Sequence, residues 1–156
     1  MSRKLELDST DHKILEILMN DAKKPYTEVA KRVFVSQGTV HVRMGKLEGA
    51  GIIEKTTLKV NYAKLGFDIT AFIGIFLQKS DLYDQVLNKL KGIWEITNIH
   101  YTTGNYSMFV KIHCRDTNHL KEVLHDKIQQ VEGIERTETM ISLEESLDRN
   151  LNLTSA

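Results

Sequence analysis

Residues 36–46, SQGTVHVRMGK, gather the side chains best suited to a polyanion. Ser36, Gln37 and Thr39 open a stretch of helical spacing. There, hydroxyl and amide groups beside unpaired backbone N–H groups favour phosphate oxygens or base edges. His41, Arg43 and Lys46 project further along the same stretch. Arginine pairs bidentately with guanine and glutamine with adenine, each contact giving about 1–3 kcal/mol of discrimination. Gln37, His41 and Arg43 are therefore expected at base edges. Ser36, Thr39 and Lys46, with Lys55 and Lys59 further on, are expected at phosphates. No Asp or Glu occurs from Val29 through Leu47, so nothing on this segment repels a polyanion. A solvated basic helix face explains any one of these residues equally well; the ensemble is what points to double-stranded DNA.

The elements that position these residues follow from spacing. Asp8–Ser9 caps a helix over about 9–20, with Leu7, Ile14, Leu15 and Leu18 as its apolar stripe. Pro25 opens a second helix reaching about residue 32 and burying Val29, Ala30 and Val33. Phe34 and Val35 make a short turn. Ser36 then caps a third helix over about 37–48, with Val40, Met44 and Leu47 inward, ended by Gly49 and Gly51. Residues 52–60 alternate well enough for a two-stranded wing. Two short helices across a tight turn, the second beginning with small polar residues, form a helix-turn-helix pattern.

Composition agrees. The 156 residues have zero formal net charge, but residues 1–60 carry a net +3 and residues 61–156 a net −3. Such asymmetry suggests that the front half meets a polyanion and the back half does not. One cysteine, Cys114, excludes an intramolecular disulfide and a Cys-rich zinc site. The polar start, MSRKLELDSTDHK, does not read as a secretory leader, so none is expected, and no run of ~20 apolar residues exists to form a membrane-spanning helix. A cytoplasmic protein is expected.

Beyond residue 62 the pattern changes. ITAFIGIFL (69–77) reads as a buried strand; 80–91 as a helix with Val86, Leu87 and Leu90 inward; 93–102 as a strand; 103–105 as a turn. Residues 106–114 form a further strand, with Met108, Val110, Ile112 and Cys114 on one face; 116–130 a helix; 134–143 the last strand. The order βαββαβ predicts a ferredoxin-like sandwich with both helices on one face of a four-stranded sheet. The expected fold is α+β: a winged helix-turn-helix over 1–60, a linker over 61–66, the ferredoxin-like domain over 67–143 and a polar, fraying tail over 144–156. The bare sheet face calls for sheet-to-sheet dimerisation.

The segment ILEILMNDAKKPYTEVAKRVFVSQGTVHVRMGKLEGAGII, with LGFDITAFIGIFL, YTTGNYSMFVKIHC and RTETMISL, resembles the Lrp/AsnC (feast/famine) transcription regulators over about residues 7–143. TTGNYSMF and RTETMISL are most similar to the asparagine-responsive AsnC branch. The resemblance implies a DNA-binding regulator with a ligand-sensing and oligomerisation domain. It further implies dimers assembling to tetramers or octamers, a small amino acid bound between dimers, asparagine as the candidate effector, and no cofactor. The family's turn after the second strand of the sensing domain matches Thr103, Gly104, Asn105, Tyr106 and Ser107; Thr137, Glu138 and Thr139 of the last strand are expected to line the same pocket. Glu138 would accept the effector's ammonium. Two departures stand out: Phe34 occupies a turn position where the family usually has glycine, and Gln37 one where many relatives have proline. If Phe34 is left-handed, it costs roughly 1 kcal/mol or more.

A sirohaem-decarboxylase-like enzyme of similar two-domain layout is the alternative, and it would need His100, His113 and Arg115 to gather around a tetrapyrrole. A module that no longer binds DNA specifically is a third reading, opposed by Arg43 and Lys46.

Overall fold

The computed structural model describes residues 6–155; residues 1–5, which begin the polar N-terminal stretch, and residue 156 lie outside the described residues. The chain divides into two compact units, residues up to 59 together with those from 147 onward, and Val60–Ser146.

In the front unit, α1 (Ser9–Asn20) begins with a reciprocal cap. The Asp8 carboxylate accepts the backbone N–H groups of Thr10 and Asp11, both at 2.8 Å, and Asp11 accepts that of Asp8 at 3.1 Å. Such a box satisfies donors the helix would otherwise leave unpaired. α2 (Tyr26–Val33) starts directly after Pro25, and α3 (Gln37–Gly49) after Ser36. Ile14, Leu15, Val29, Ala30, Val33, Val40, Met44 and Leu47 form one core.

Phe34 closes α2 in the left-handed conformation, φ 59° and ψ 44°. Its ring gains nothing in return, being 93% exposed. A left-handed non-glycine residue costs roughly 1–2 kcal/mol, partly offset against glycine by glycine's freer unfolded chain. Phe34→Gly is therefore expected to stabilise the front unit by about 0.5–1 kcal/mol. Urea unfolding would read this directly; an unchanged or lower midpoint would mean that the ring stabilises the native state in a way its exposure conceals.

The expected two-stranded wing is absent. Residues 54–60 have no ladder partner; Ile52 and Ile53 instead direct their N–H groups to the Leu47 carbonyl. Only Ile53 of this stretch packs on the front core, while Leu58 and the lysines stay exposed. A two-stranded ribbon that leaves its apolar residues, here Leu58 and Val60, exposed is marginal in water. The tail also departs from expectation. Asn150 donates to the Met19 carbonyl at 2.8 Å, Asp148 pairs with Lys59, and Leu153 packs on the front core.

The second unit has sheet order β2-β3-β1-β4, from β1 (Ile69–Leu77), β2 (Ile96–Tyr101), β3 (Met108–Cys114) and β4 (Ile134–Ile141). All pairings are antiparallel. α4 (Tyr83–Leu90) follows β1 through a 3₁₀ turn, and α5 (Thr117–Glu122) continues as a π-type turn over Val123–Ile128. β2 begins at Ile96, later than expected, because Ile93–Ile96 is tied off by an Ile96 N–H to Ile93 carbonyl bond. Alternation along β1 and β3 sends Ala71, Ile73 and Ile75 with Met108, Val110, Ile112 and Cys114 into the core beneath Val86, Leu90, Leu120, Val123 and Ile128. The other face carries Phe72, Phe76 and Phe109, with Phe72 and Phe109 stacked at 5.6 Å. Tyr106 lies across it, its ring packed against Gly74, where an added Cβ would come within 2.4 Å.

Candidate nucleic-acid interface and effector region

α3 presents three buried side chains, Val40, Met44 and Leu47, on one side. Gln37, His41, Val42 and Lys46 are exposed on its other sides. Ser36 is committed first to the helix: its Oγ accepts the Thr39 N–H at 3.1 Å and lies 2.8 Å from Thr39 Oγ1. Both hydroxyls thus sit at the helix N-terminus, where they and the backbone N–H groups can meet an anion. The His41 ring lies 6.1 Å from that of Tyr26, which steers it without burying it. Lys55 is exposed on the irregular segment after α3, and Lys59 is held by Asp148.

Arg43 is placed otherwise than expected. Its Nη1 donates to Asp8 Oδ2 at 2.8 Å and to Asp11 Oδ1 at 2.6 Å. The guanidinium braces α3 against the start of α1, and its place at a base edge is not supported by this geometry. Asp11 is 2% exposed, so its carboxylate depends on this partner. The Asp11 N–H, then Arg43, hold the Asp8 carboxyl below its ordinary 3.8. The signal was present in the sequence: acids three apart at a helix start, and an arginine one position before the inward Met44.

In the second unit the residues expected at an effector pocket do not all converge. Thr103, Gly104 and Asn105 form an exposed turn in which Gly104 has φ +101°, a conformation that side chains resist. Tyr106 donates to Glu138 Oε2 at 2.8 Å, and Arg136 donates to Glu138 Oε1, also at 2.8 Å. Both oxygens expected to receive an ammonium are therefore engaged. Glu138, followed by burial, raises the Tyr106 hydroxyl above its usual range. Ser107 Oγ accepts the Leu77 N–H at 3.3 Å. Thr137 and Thr139 pair opposite Ile75 and Ile73 and so lie on the helix-bearing face, away from Glu138. A strand's alternation forbids three consecutive residues from lining one side; the expectation that Thr137, Glu138 and Thr139 share a pocket within one chain is corrected. Thr137 instead borders a hollow of about 350 Å³ with Gln129, Ile134, Glu135 and Arg136.

Besides Asp11, sequence reading missed a second buried charged group. Glu95, 1% exposed, accepts hydrogen bonds from His119 Nε2 at 3.1 Å and from Lys127. Burial alone would raise its carboxyl; the bonds from Lys127, the backbone and His119 outweigh burial and hold it low. Burial, then the Glu95 charge, pushes the Cys114 thiol up to about 11, so this thiol is a core residue rather than a nucleophile. His113 stacks on Tyr62 at 4.4 Å and lies 3.1 Å from Thr70 Oγ1, while His100 pairs opposite Phe109. The gathering of His100, His113 and Arg115 that an enzyme would need is not formed. Among the described residues no group of His, Cys, Asp and Glu is arranged to hold a metal ion, and no helix is long and apolar enough to cross a membrane.

Comparison with known proteins agrees with both units. Residues 7–48 match the AsnC-type helix-turn-helix domain, and residues 70–151 the Lrp/AsnC ligand binding domain. The regulatory protein AsnC of Haemophilus influenzae is 43% identical over 145 residues, covering 93% of this chain and 97% of that protein. AsnC of Escherichia coli K12 is likewise 43% identical, over 93% and 95%. The solved structure of Escherichia coli AsnC superposes with a TM-score of 0.90 at 41% identity, covering 95% of this chain and 99% of that one. A Neisseria meningitidis regulator solved with L-methionine shares the fold, with a TM-score of 0.88 at 22% identity over 92% and 94%. These relatives are named as regulators, not enzymes. From the two domain matches and the AsnC relatives, the chain belongs to the Lrp/AsnC family of transcription regulators.

Proposed function

We propose that this protein is a sequence-specific, DNA-binding transcription regulator whose assembly and DNA affinity respond to a small amino acid. One observation carries the reading: α3 has a capped N-terminus and an exposed side bearing Gln37, His41 and Lys46, with no Asp or Glu from Val29 through Leu47. Gln37 and His41 are assigned to base edges; Ser36, Thr39, Lys46, Lys55 and Lys59 to phosphates. Arg43 positions the helix rather than reading DNA. The aromatic open face of the second unit is assigned to contact with a second copy, and the resulting dimers to further assembly into tetramers or octamers. A dimer places two α3 helices in successive major grooves and so favours a pseudo-palindromic site. The effector region is assigned to the Thr103–Ser107 turn and the adjoining Tyr106–Glu138 pair, completed between dimers, with asparagine the first amino acid to try. A regulator of this kind works in the cytoplasm. No cofactor is needed.

Two measurements test the proposal. In gel shifts, duplex from the protein's own upstream region is expected to be retained at low salt and released steeply as salt rises. In thermal shifts against the twenty amino acids, one or a few are expected to raise the melting temperature by mass action. Failure to retain any duplex specifically at low salt removes the DNA assignment, and a flat amino-acid screen removes the sensing one.

A further inference from the structure

The exposed side of α3 carries an apolar residue that no core contact explains. Val42 is 71% exposed. The inward side of the helix is defined by Val40, Met44 and Leu47, and one turn either way from Val42 stand Gly38 and Gly45. A Cβ at Gly45 would meet nothing within 4 Å, and one at Gly38 only the Ser36 hydroxyl at 3.8 Å. Neither glycine is therefore required by packing within the chain, although each weakens a helix interior. They leave Val42 as an isolated branched apolar group with clear helix backbone on both sides.

The charge around it selects the occupant. Arg43 is withdrawn to Asp8 and Asp11. The remaining reach on this side belongs to Gln37, His41 and Lys46, with Lys31 exposed on α2 and no acid from Val29 through Leu47. An apolar protein partner would leave those cations without counter-charges; a duplex supplies them. In the major groove the one apolar feature among the base edges is the thymine C5-methyl group. A two-methyl side chain flanked by bare backbone fits that feature and offers no hydrogen bond to any other.

We propose that Val42 is a specificity-determining residue of α3 that reads the thymine C5-methyl group in the major groove. The inference rests on the assignment of α3 to DNA and adds to it the base that the helix prefers and the atom by which it is recognised. Preference then comes from apolar contact at Val42, in addition to the hydrogen bonds of Gln37 and His41.

The test uses the full chain. A preferred duplex is selected from a random pool, and each thymine in it is replaced in turn by deoxyuridine, which lacks only the C5-methyl. The wild type is expected to lose about fourfold in affinity at one position per half-site, the scale of a single buried methyl. Val42→Ala, at an exposed site and with higher helix propensity, should keep the melting temperature. It should bind the thymine duplex about as weakly as the wild type binds the deoxyuridine one, and should not distinguish the two. Loss of the thymine effect in Val42→Ala supports the proposal. It is overturned if no deoxyuridine substitution weakens the wild type, or if Val42→Ala discriminates as the wild type does. Should selection yield no preferred duplex at all, the wider DNA assignment fails with it, and that result is plainly different from specific binding indifferent to the methyl.

Discussion

Gly74→Ala is expected to lower the stability of the second unit by about 2–3 kcal/mol, the scale of overpacking in a filled site. Gly74 sits in the middle of β1, paired with Phe109 on one side and Glu138 on the other. The Tyr106 ring covers it so closely that a Cβ would fall 2.4 Å from two ring carbons and 2.8 Å from a third. The third is Cγ, near the root of the side chain, so bending the tip of the ring away does not relieve the clash. The whole ring must swing off the sheet. That gives up its bond to Glu138 and its edge contact with Phe76 at 5.2 Å. For a unit of this size the melting temperature should fall on the order of 10 °C. The assignment to Tyr106 is tested by repeating the substitution in a Tyr106→Ala background. There the added methyl should be neutral or mildly favourable, since alanine suits a strand better than glycine. An equal cost in both backgrounds would locate the strain elsewhere.

Much of this fold could be read from spacing, because burial writes itself into period. Val40, Met44 and Leu47 gave the inner side of α3, and the alternation of Met108, Val110, Ile112 and Cys114 gave that of β3; all seven are buried. The caps at Asp8 and Ser36 were legible for a similar reason, as short-range chemistry with fixed offsets. What failed depended on partners distant in sequence. The wing needed an apolar surface to pair over, and Leu58 and Val60 find none. The tail needed Met19 and the front core, about 130 residues away. Glu95 is marked by nothing in its own segment; its burial comes with His119 and Lys127, which α5 and its π-type extension bring to it. In the candidate site, exposure of Gln37, His41 and Lys46 followed from the helical wheel, but the direction of Arg43 did not. At position 43 the side chain lies at the boundary between the inner and outer sides. The choice was made by two carboxylates more than thirty residues earlier.

Arg43→Met is expected to cost the front unit about 2 kcal/mol, less than the 3–5 typical of a fully buried pair because the arginine itself is partly exposed. Methionine keeps much of the side chain's length and packing, so the loss isolates the charge. Asp11, 2% exposed in the native chain, would have its carboxylate left with the Asp8 N–H as its remaining hydrogen-bond partner. Urea unfolding should show the loss, and Asp11→Asn in the same chain should recover part of it by removing the stranded charge; two independent, additive costs would refute the brace. The acid limb gives a second readout. The Asp8 carboxyl is held below 3.8 in the folded state, so its contribution is complete above that value and drains away as pH falls through the lower folded one. Without Arg43 the carboxyl keeps the Asp11 N–H but loses the guanidinium, and the fall in melting temperature toward low pH should become shallower. DNA binding separates bracing from reading. A brace that tilts α3 weakens all duplexes together, whereas a guanine contact fails at one base pair. Arg43→Met should therefore lower affinity for the preferred and the singly substituted duplexes by the same factor, and a loss confined to one guanine would return Arg43 to the base edge.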